Sequence, residues 1–422
     1  MRKAVFAALK SFENNKGYSN LVINAFLKTA GIEGRDRSLF TNIFYGVIER
    51  KLTLEYFVSK NSNMPLEKID KKTLLVLKIA LFQIVYLEKI PNSAAVNTAV
   101  EIAKEVSPKA VNFVNAVLRN AIRKGFSLPE DTEIKYSASK DIVDVFTENL
   151  GRDETISFLE DSLKPPPVYI RVNTLKTDED SLMKNFSEID VNAEKTCLKN
   201  CLKADNISKL LNSGAFKNGY FHIQDISSQL AIYFLNPKKG ESVIDFCAAP
   251  GGKSFTAAEY MENEGSLLSI DIHESKIGLL IETAEKLGIE IMKTEAADSS
   301  KVKNPDKADK IICDMPCSGL GVIRRKPEIK YKTVKELEGF PKTQLAILNN
   351  AAGFLKEGGE LLYSTCTVNK EENEKIIEKF LSENSGYRLE KLRFQGENHD
   401  FLKLLPKMIE SDGFFIAKLK KM

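Results

Sequence analysis

Apolar residues recur every three or four positions through about the first 126 residues, which is the spacing of a helix with one buried face. Three runs show this spacing: Phe40, Ile43, Phe44, Val47 and Ile48; Leu77, Leu81, Ile84 and Val85; and Phe113, Val114, Val117, Leu118 and Ile122. Proline is confined here to breaks between runs, at Pro65, Pro91 and Pro108. The pattern therefore predicts an all-helical bundle that ends near residues 128–131.

After Ser242 the pattern changes to short apolar strands that alternate with helices. The predicted strands are 243–247, 267–271, 291–294, 311–314 and 361–364, and two predicted helices are 274–287 and 343–356, with Gly288 and Gly358 as their stops. This alternation favours a doubly wound parallel sheet with helices on both faces. Between the proline break at 165–167 and about Phe221, short strands and helices mix as in a small α+β module.

We therefore predict a multidomain protein of three parts. They are an all-α bundle over residues 1–130, linking helices with a small α+β module over 131–235, and an α/β Rossmann-like domain over 236–422. The apolar run after the first three residues ends at Lys10, too early for a secretory signal, and no stretch approaches the roughly 18 apolar residues of a membrane span. With 43% hydrophobic and 28% charged residues, the composition is that of a globular protein, and we expect it to be cytoplasmic and monomeric.

Six cysteines in 422 residues without a signal sequence do not suggest a disulfide framework. The three histidines are scattered, and Cys197 and Cys201 have no second pair of ligands nearby. We therefore expect reduced thiols and no metal site.

The net charge of +3 is unevenly distributed. Residues 1–140 contain 22 Lys/Arg and 13 Asp/Glu, a balance of +9, whereas residues 141–422 contain 39 and 45, a balance of −6. A basic N-terminal part is compatible with a polyanionic partner, and equally with an ordinary solvated surface.

A candidate nucleotide-type site follows the first strand of the α/β domain. Residues 247–253, Cys-Ala-Ala-Pro-Gly-Gly-Lys, form a turn into a helix whose small residues let a ligand approach the backbone. Asp271 ends the next strand, where a carboxylate can accept hydrogen bonds from ribose hydroxyls, and Asp298 follows the third strand, near an adenine. The pattern suits NAD, another nucleotide or S-adenosylmethionine, although the absence of G-x-G-x-x-G disfavours a dinucleotide and the absence of a P-loop disfavours an NTPase.

Two further strands end in cysteines. One runs into Asp314-Met315-Pro316-Cys317 and the other into Thr365-Cys366. If these strands are neighbours, both thiols and Asp314 face the crevice at the carboxyl ends of the sheet. A thiolate that adds to C6 of cytosine makes C5 nucleophilic, and a second group then removes the C5 proton, so the residues suit cytosine C5 methylation. Cys247 and Cys313 are interpreted as packing residues.

These motifs resemble the RNA cytosine-C5 methyltransferase family. The matching stretches are D-F-C-A-A-P-G-G-K (245–253), D-M-P-C-S-G-L-G-V-I-R-R-K-P-E-I-K (314–330), S-T-C-T followed by E-E-N (364–373), and D-G-F-F-I-A-K (412–418). R-V-N-T (171–174) is similar to the linking module of the Sun-type 16S rRNA branch, and residues 95–104 and 113–119 are similar to its NusB-like domain. The resemblance implies a NusB-like bundle, a linking module and a class I methyltransferase domain, and it covers essentially the whole chain.

The resemblance also implies roles for individual residues. Cys366 is the nucleophile, Cys317 assists proton removal and release, and Asp314 binds both base and cofactor. Independently of the resemblance, an ordinary cysteine is mostly protonated at neutral pH, so we expect Lys253 or nearby backbone dipoles to favour ionisation of Cys366. The residues implied in binding S-adenosylmethionine are Cys247, Ala248, Ala249, Pro250, Gly251, Gly252, Lys253, Asp271, Asp298 and Asp314. One departure is Met315, where the family usually has Ala; its side chain can crowd the pocket or swing aside.

The implied substrate is 16S rRNA, free or in an assembling small subunit, and its target is the cytosine at position 967 in the family's name. Arg324, Arg325 and Lys326, with Lys330 and Lys332, form a basic stretch after Cys317 that is predicted to contact phosphates. Arg171 of the R-V-N-T motif is also assigned to RNA binding.

Three alternatives remain open at this stage. The same chemistry could act on tRNA, and the NusB-like part could belong to a non-catalytic RNA-binding regulator, although such a protein needs neither cysteine. A DNA cytosine methyltransferase would use the cysteine after the proline, Cys317, and leave Cys366 idle.

Overall fold

The computed structural model describes residues 1–15, 19–29, 31–303 and 306–422. They fold into two units: residues 1–164 with 323–334, and residues 165–322 with 335–422. The first unit therefore extends past the predicted boundary at 130 and also includes residues 323–334. The three-part division stays a prediction. Among the described residues, none of the helices combines the length and the apolar character needed to cross a membrane.

The first unit is a helical bundle, as predicted. Its helices are α1 (Arg2–Asn15), α2 (Ser19–Thr29), α3 (Gly34–Glu49), α4 (Lys51–Asn61), α5 (Lys71–Tyr86), α6 (Asn92–Val106), α7 (Val111–Lys124), α8 (Thr132–Tyr136), α9 (Lys140–Leu150) and α10 (Arg152–Asp161). The periodic positions Phe40, Phe44, Leu77 and Leu118 are fully buried in one core. Asp70 caps α5 by accepting a hydrogen bond from the Thr73 amide at 3.0 Å, which satisfies a donor that the helix itself leaves unpaired.

Residues 323–334 pack within this first unit. Tyr331 Oη donates to the Ile48 carbonyl at 2.6 Å, and Lys330 Nζ donates to the Tyr136 carbonyl at 3.1 Å. The Lys330 side chain is fully buried, and its burial lowers its pKa to about 7, partly opposed by the charge of Glu49. The prediction that Lys330 contacts phosphates as part of the basic stretch is therefore wrong.

The second unit begins with a small α+β module. Its elements are β1 (Val168–Val172), α11 (Glu179–Ser187), β2 (Ala193–Lys195), β3 (Cys201–Ala204), α12 (Ile207–Asn212), α13 (Gly214–Lys217) and β4 (Phe221–Ile223). The antiparallel sheet has the order β2-β3-β1-β4. Ile170, Phe186 and Phe221 are fully buried in the module's own core.

The rest of the second unit contains α14 (Ile226–Leu235), β5 (Ser242–Asp245), α15 (Gly252–Tyr260), β6 (Ser266–Asp271), α16 (Glu274–Leu287), β7 (Met292–Ala296), β8 (Ala308–Asp314), α17 (Phe340–Ala352), β9 (Leu355–Thr365), α18 (Glu374–Glu383), β10 (Tyr387–Glu390), β11 (Leu392–Phe394), β12 (Glu397–His399), β13 (Phe401–Leu404), α19 (Pro406–Ile409) and β14 (Phe414–Lys421). Most of the strands form a mixed sheet of the order β10-β14-β9-β8-β5-β6-β7, with β13 also paired to β14, and β11 pairs with β12 in a separate sheet. The strands β5 to β9 are parallel, whereas β14 and its partners are antiparallel.

Both faces of this sheet are covered, which explains why its strands read as continuous apolar runs. Along β8, Ile311 and Cys313 lie in one core and Ile312 in the other, and Leu361 and Leu362 of β9 divide in the same way. The predicted Rossmann-like fold is confirmed.

Two predicted helix ends had different outcomes. Gly288 ends α16 in the left-handed conformation, with φ at +76°, as predicted. The second prediction, a helix 343–356 stopped by Gly358, is wrong at both ends, because α17 spans Phe340–Ala352. Gly358, with φ at +74°, lies instead in an irregular part of β9, where the pairing with β8 shifts between Leu355 and Glu360.

Candidate active site

The loop between β5 and α15 is built around glycine and a buried carboxylate. Gly251 has φ at +107°, and a Cβ there would lie 2.2 Å from the Phe255 ring, so only glycine fits. Asp245, at the end of β5, is 1% exposed and accepts a hydrogen bond from Ser254 Oγ at 2.7 Å. Burial raises the pKa of Asp245 to about 7, and the nearby Asp314 carboxylate adds to that rise.

Asp271 ties the end of β6 to the same loop. One of its oxygens accepts the Ala249 amide at 3.1 Å and the other accepts the His273 amide at 2.9 Å. Each carboxylate oxygen retains capacity for one more donor, as a ribose diol would require. Asp298 follows β7, and hydrogen bonds from Ser300 and Lys301 lower its pKa to about 2.

A cavity of about 740 Å³ adjoins this loop. Its lining includes most of the predicted cofactor residues, namely Cys247, Ala248, Pro250, Gly252, Lys253 and Asp314. Four carboxylates, those of Asp225, Asp245, Glu282 and Asp314, line it beside the ammonium groups of Lys253 and Lys286. The excess of carboxylates suits a ligand that carries positive charge. Asp271 and Asp298 are not among the described lining residues and lie at the carboxyl ends of the neighbouring strands.

Lys253 and Asp314 form an ion pair at the centre of the site. Lys253 Nζ lies 2.7 Å from Asp314 Oδ2, and the Lys253 side chain is 7% exposed. Ser364 Oγ of the adjacent strand donates to Asp314 Oδ1 at 2.8 Å, and the Lys253 ammonium lies 5.0 Å from the centre of the Phe414 ring. The pair fixes Asp314 from two sides. The expectation that Lys253 favours ionisation of Cys366 stays a prediction.

The two cysteines predicted to act together are in contact. The strands β8 and β9 are parallel neighbours, and the Sγ atoms of Cys317 and Cys366 lie 3.2 Å apart, sharing a hydrogen bond. The pKa of Cys317 is well above its ordinary value, first because of the bond with Cys366 and then because of burial, with the charges of Cys366 and Glu372 adding to the effect.

A fully buried carboxylate, Glu372, joins the two cysteine loops and was not singled out from the sequence. It accepts hydrogen bonds from the Ser318 amide at 2.8 Å, from Gln344 Nε2 at 3.1 Å and from Asn369 Nδ2 at 3.1 Å. Gln344 Nε2 also donates to the Pro316 carbonyl at 2.9 Å. We call Glu372, Ser318, Gln344 and Asn369 the Glu372 cluster. In the sequence, Glu372 belongs to the E-E-N motif at 371–373, which contributed to the family resemblance but was given no chemical role.

Other predicted residues have packing roles. Met315 is 3% exposed and lies in the core that Ile347 and Phe380 also form, so its side chain points into packing and does not crowd the cavity. Cys313 is fully buried in the same core, and burial raises its pKa well above the ordinary value. Cys247 is half-buried against that core and lines the cavity, and burial raises its pKa as well.

The predicted RNA-binding residues have separate outcomes. The Arg171 side chain is 3% exposed, and its Nε lies 2.6 Å from Glu259 Oε2. A guanidinium so enclosed and paired has a structural role in this fold, and the assignment of Arg171 to RNA binding stays a prediction. Arg324, Arg325 and Lys326 are half-buried in the first unit, and their contact with RNA stays a prediction.

Comparison with protein families matches both parts of the chain. Residues 232–420 match the family described as 16S rRNA methyltransferase RsmB/F, and residues 1–123 match the NusB family. The chain is 36% identical over 447 residues to the probable ribosomal RNA small subunit methyltransferase B of Bacillus subtilis, covering 100% of this chain and 98% of the relative. A protein of the same description from Synechocystis sp. is 31% identical over 444 residues, covering 100% and 99%.

Two solved structures are similar to the chain in fold and sequence. The crystal structure of PH0851 has a TM-score of 0.84 and 26% sequence identity, and it covers 99% of this chain and 98% of its own. The crystal structure of NSun6 from Pyrococcus horikoshii with SFG has a TM-score of 0.61 and 25% identity, covering 67% of this chain and 98% of its own.

Proposed function

The chain belongs to the ribosomal RNA small subunit methyltransferase B family, and we propose that it methylates carbon 5 of a cytosine in 16S rRNA. The observation that carries the proposal is the contact of Cys317 and Cys366 beside the Lys253–Asp314 pair. Methylation of an amine or a hydroxyl needs no cysteine, whereas carbon 5 of cytosine becomes nucleophilic only when a thiolate adds at carbon 6.

The residues of the site fit S-adenosylmethionine. The cofactor supplies a methyl group bound to a positively charged sulfur. The carboxylate-rich cavity beside residues 247–253 suits the charge of its sulfonium and ammonium groups. Asp271, held by two backbone amides, presents its remaining acceptor capacity to ribose hydroxyls.

The first step is the attack of Cys366 on the base. The Cys366 thiolate forms a bond to carbon 6, and the electrons of the C5–C6 double bond make carbon 5 nucleophilic. Asp314 binds the polar edge of the base, since Lys253 and Ser364 hold its carboxylate in a fixed orientation. Carbon 5 then takes the methyl group.

The second step is release of the base. The proton on carbon 5 must leave so that its electron pair can re-form the C5–C6 double bond while the bond from carbon 6 to Cys366 sulfur breaks. Cys317, whose sulfur lies 3.2 Å from that of Cys366, assists this proton removal. The atoms balance: carbon 5 gains the methyl group and gives its proton to the Cys317 sulfur in its thiolate form, and Cys366 returns as a thiolate. Cys317 then loses that proton to solvent.

Cysteine variants test the chemistry. Cys366→Ala should form no covalent adduct and no product, whereas Cys317→Ala should attack the RNA and release it poorly, so that an adduct accumulates on denaturing gels. Cys197→Ala, which removes an exposed thiol of the small α+β module, is the matched control and should behave as wild type. An adduct with Cys366→Ala but none with Cys317→Ala would exchange the two roles, and normal product from both would refute thiol catalysis.

Bisulfite sequencing tests the target. In cells that lack this protein, one cytosine of 16S rRNA, at the position named for the family, should lose its methyl group and regain it on complementation by the wild-type gene. Loss of methylation in tRNA instead would leave the chemistry intact and refute the rRNA target.

A further inference from the structure

A second large depression of about 1070 Å³ lies in the second unit, and its lining includes neither Cys317 nor Cys366. Lys310 lies in the first half of β8, and Asn236 and Lys238 precede β5. The groove is thus on the amino-terminal side of the parallel strands, whereas Cys317 and Cys366 follow their carboxyl ends. We call it the basic groove.

The basic groove concentrates positive charge on an acidic unit. Seven Lys/Arg and three Glu line it, a balance of +4. The second unit as a whole has 32 Lys/Arg and 37 Asp/Glu, a balance of −5. An unselected patch of this unit would be expected to be neutral or acidic, so the groove has the charge of a site for a polyanion.

The cations at the rim are the accessible ones. Glu360 is shared by Lys310 and Lys418 at the floor, where its single charge meets two ammonium groups. Lys199, Lys238 and Arg393 are exposed along the rim. Long exposed cations spaced along a groove suit successive phosphates better than one compact anion.

An exposed aromatic ring accompanies these cations. Tyr233 is 49% exposed and lines the groove beside Phe234. Exposed aromatic rings next to cations serve as stacking platforms for bases in single-stranded nucleic acid. The combination favours RNA over an acidic protein.

We propose that the basic groove binds the backbone of the substrate RNA at a segment distant from the target cytosine. This inference rests on the proposed function, because it takes the ligand to be the same rRNA that is methylated. The groove lies at the amino-terminal ends of the parallel strands, whereas Cys317 and Cys366 follow the carboxyl ends. Only an RNA long enough to reach both places can therefore use the groove. A short RNA that carries the target alone should gain nothing from the groove.

The test compares a groove variant with a control of equal charge change on two RNAs. The groove variant is Lys199→Ala with Lys238→Ala and Arg393→Ala. The control is Lys293→Ala with Lys342→Ala and Lys379→Ala, three exposed lysines of the same unit outside the groove. The RNAs are a long 16S fragment and a short target stem-loop, and binding is measured by fluorescence anisotropy against salt, alongside methylation kinetics.

For the long RNA, the groove variant should raise Kd and KM by about tenfold or more with kcat unchanged, and the slope of log K against log salt should fall by about 2 to 3. The control variant and the short RNA should show none of these changes. Equal loss in both variants, or equal loss on both RNAs, would overturn the proposal, as would an unchanged groove variant. Failure of the proposed function is distinct, since the wild type would then form no 5-methylcytosine while the binding comparison still reports on the groove.

Discussion

Replacement of Glu372 by glutamine changes one acceptor oxygen into a donor inside a fully buried cluster. The Glu372 carboxylate accepts three hydrogen bonds, from Ser318, Gln344 and Asn369. A glutamine can accept only through its one oxygen. If that oxygen keeps Ser318 and Gln344, its amide group faces the amide group of Asn369, and two donors meet.

The size of the effect follows from these three bonds. Bonds to a charged acceptor contribute about 1.5–3 kcal/mol each and neutral ones about 0.5–1.5, so the two bonds that remain weaken by about 1 kcal/mol each. A buried donor without an acceptor costs about 1–3 kcal/mol, and removal of the buried charge offsets part of the total. We therefore expect Glu372→Gln to lower the free energy of unfolding by about 2–4 kcal/mol, within the range a folded domain can lose.

Activity should fall further than stability alone explains. Ser318 follows Cys317 directly, so a looser Ser318 amide allows Cys317 to move away from Cys366, and misplacement by about 1 Å can cost about 100-fold in rate. Urea unfolding gives the stability, and single-turnover methylation with a denaturing gel gives the rate and any adduct. The pH dependence of Cys317 alkylation should also shift to lower pH, because the Glu372 charge, one of the contributions that raise the pKa of Cys317, is gone.

Two further variants control this experiment. Glu371→Gln alters the adjacent carboxylate, which is 58% exposed and paired with Lys375, and should change stability by less than about 1 kcal/mol. The double variant Glu372→Gln with Asn369→Asp exchanges donor and acceptor and should recover most of the stability. If Glu372→Gln matched wild type in stability and rate, or if the exchange restored nothing, the assigned role of the cluster would be refuted.

Two other predictions concern the cofactor side. Asp271→Ala should weaken S-adenosylmethionine binding by about tenfold or more in calorimetry, because the ribose loses its carboxylate acceptor and the Ala249 and His273 amides lose theirs; unchanged affinity would refute the assignment. Gly251→Ala should lower the stability measured by thermal unfolding by about 1–3 kcal/mol and abolish cofactor binding, since its φ is +107° and its Cβ would meet Phe255. Gly278→Ala in the open face of α16 is the control and should raise that stability by about 0.5–1 kcal/mol.

The predictable parts of the fold are those where local and tertiary preferences agree. The helix at 274–287 has a regular apolar face and a terminal glycine, and α16 has exactly those bounds. Residues 355 and 356 were predicted to end the preceding helix, because leucine and lysine are acceptable helix residues. They belong to strand β9 instead, where Leu355 pairs with Ala308 of β8, so pairing in the sheet outweighs a weak local preference.

Buried charges were the features that pattern alone could not locate. Nothing in the local sequence marks Arg171, Lys330 or Glu372 as buried, because charged side chains are rarely enclosed. Each is enclosed here by specific partners distant in sequence, such as Glu259 for Arg171. No local period encodes such a pairing, whereas Cys317 and Cys366 could be found because strand ends in a parallel sheet converge on one crevice.

The two cysteines are chemically alike, so any division of labour between them must come from their surroundings. The hydrogen bond between the two sulfurs, 3.2 Å apart, is the main cause that raises the pKa of Cys317, and burial and the charges of Cys366 and Glu372 add to it. A raised pKa makes the Cys317 thiolate a stronger base, which suits proton removal, while Cys366 supplies the thiolate that attacks carbon 6 in the proposed mechanism. Glu372 therefore acts twice under this mechanism without touching the base. It holds the two loops at contact distance, and its charge adds to the basicity of Cys317, the sulfur that takes the proton from carbon 5.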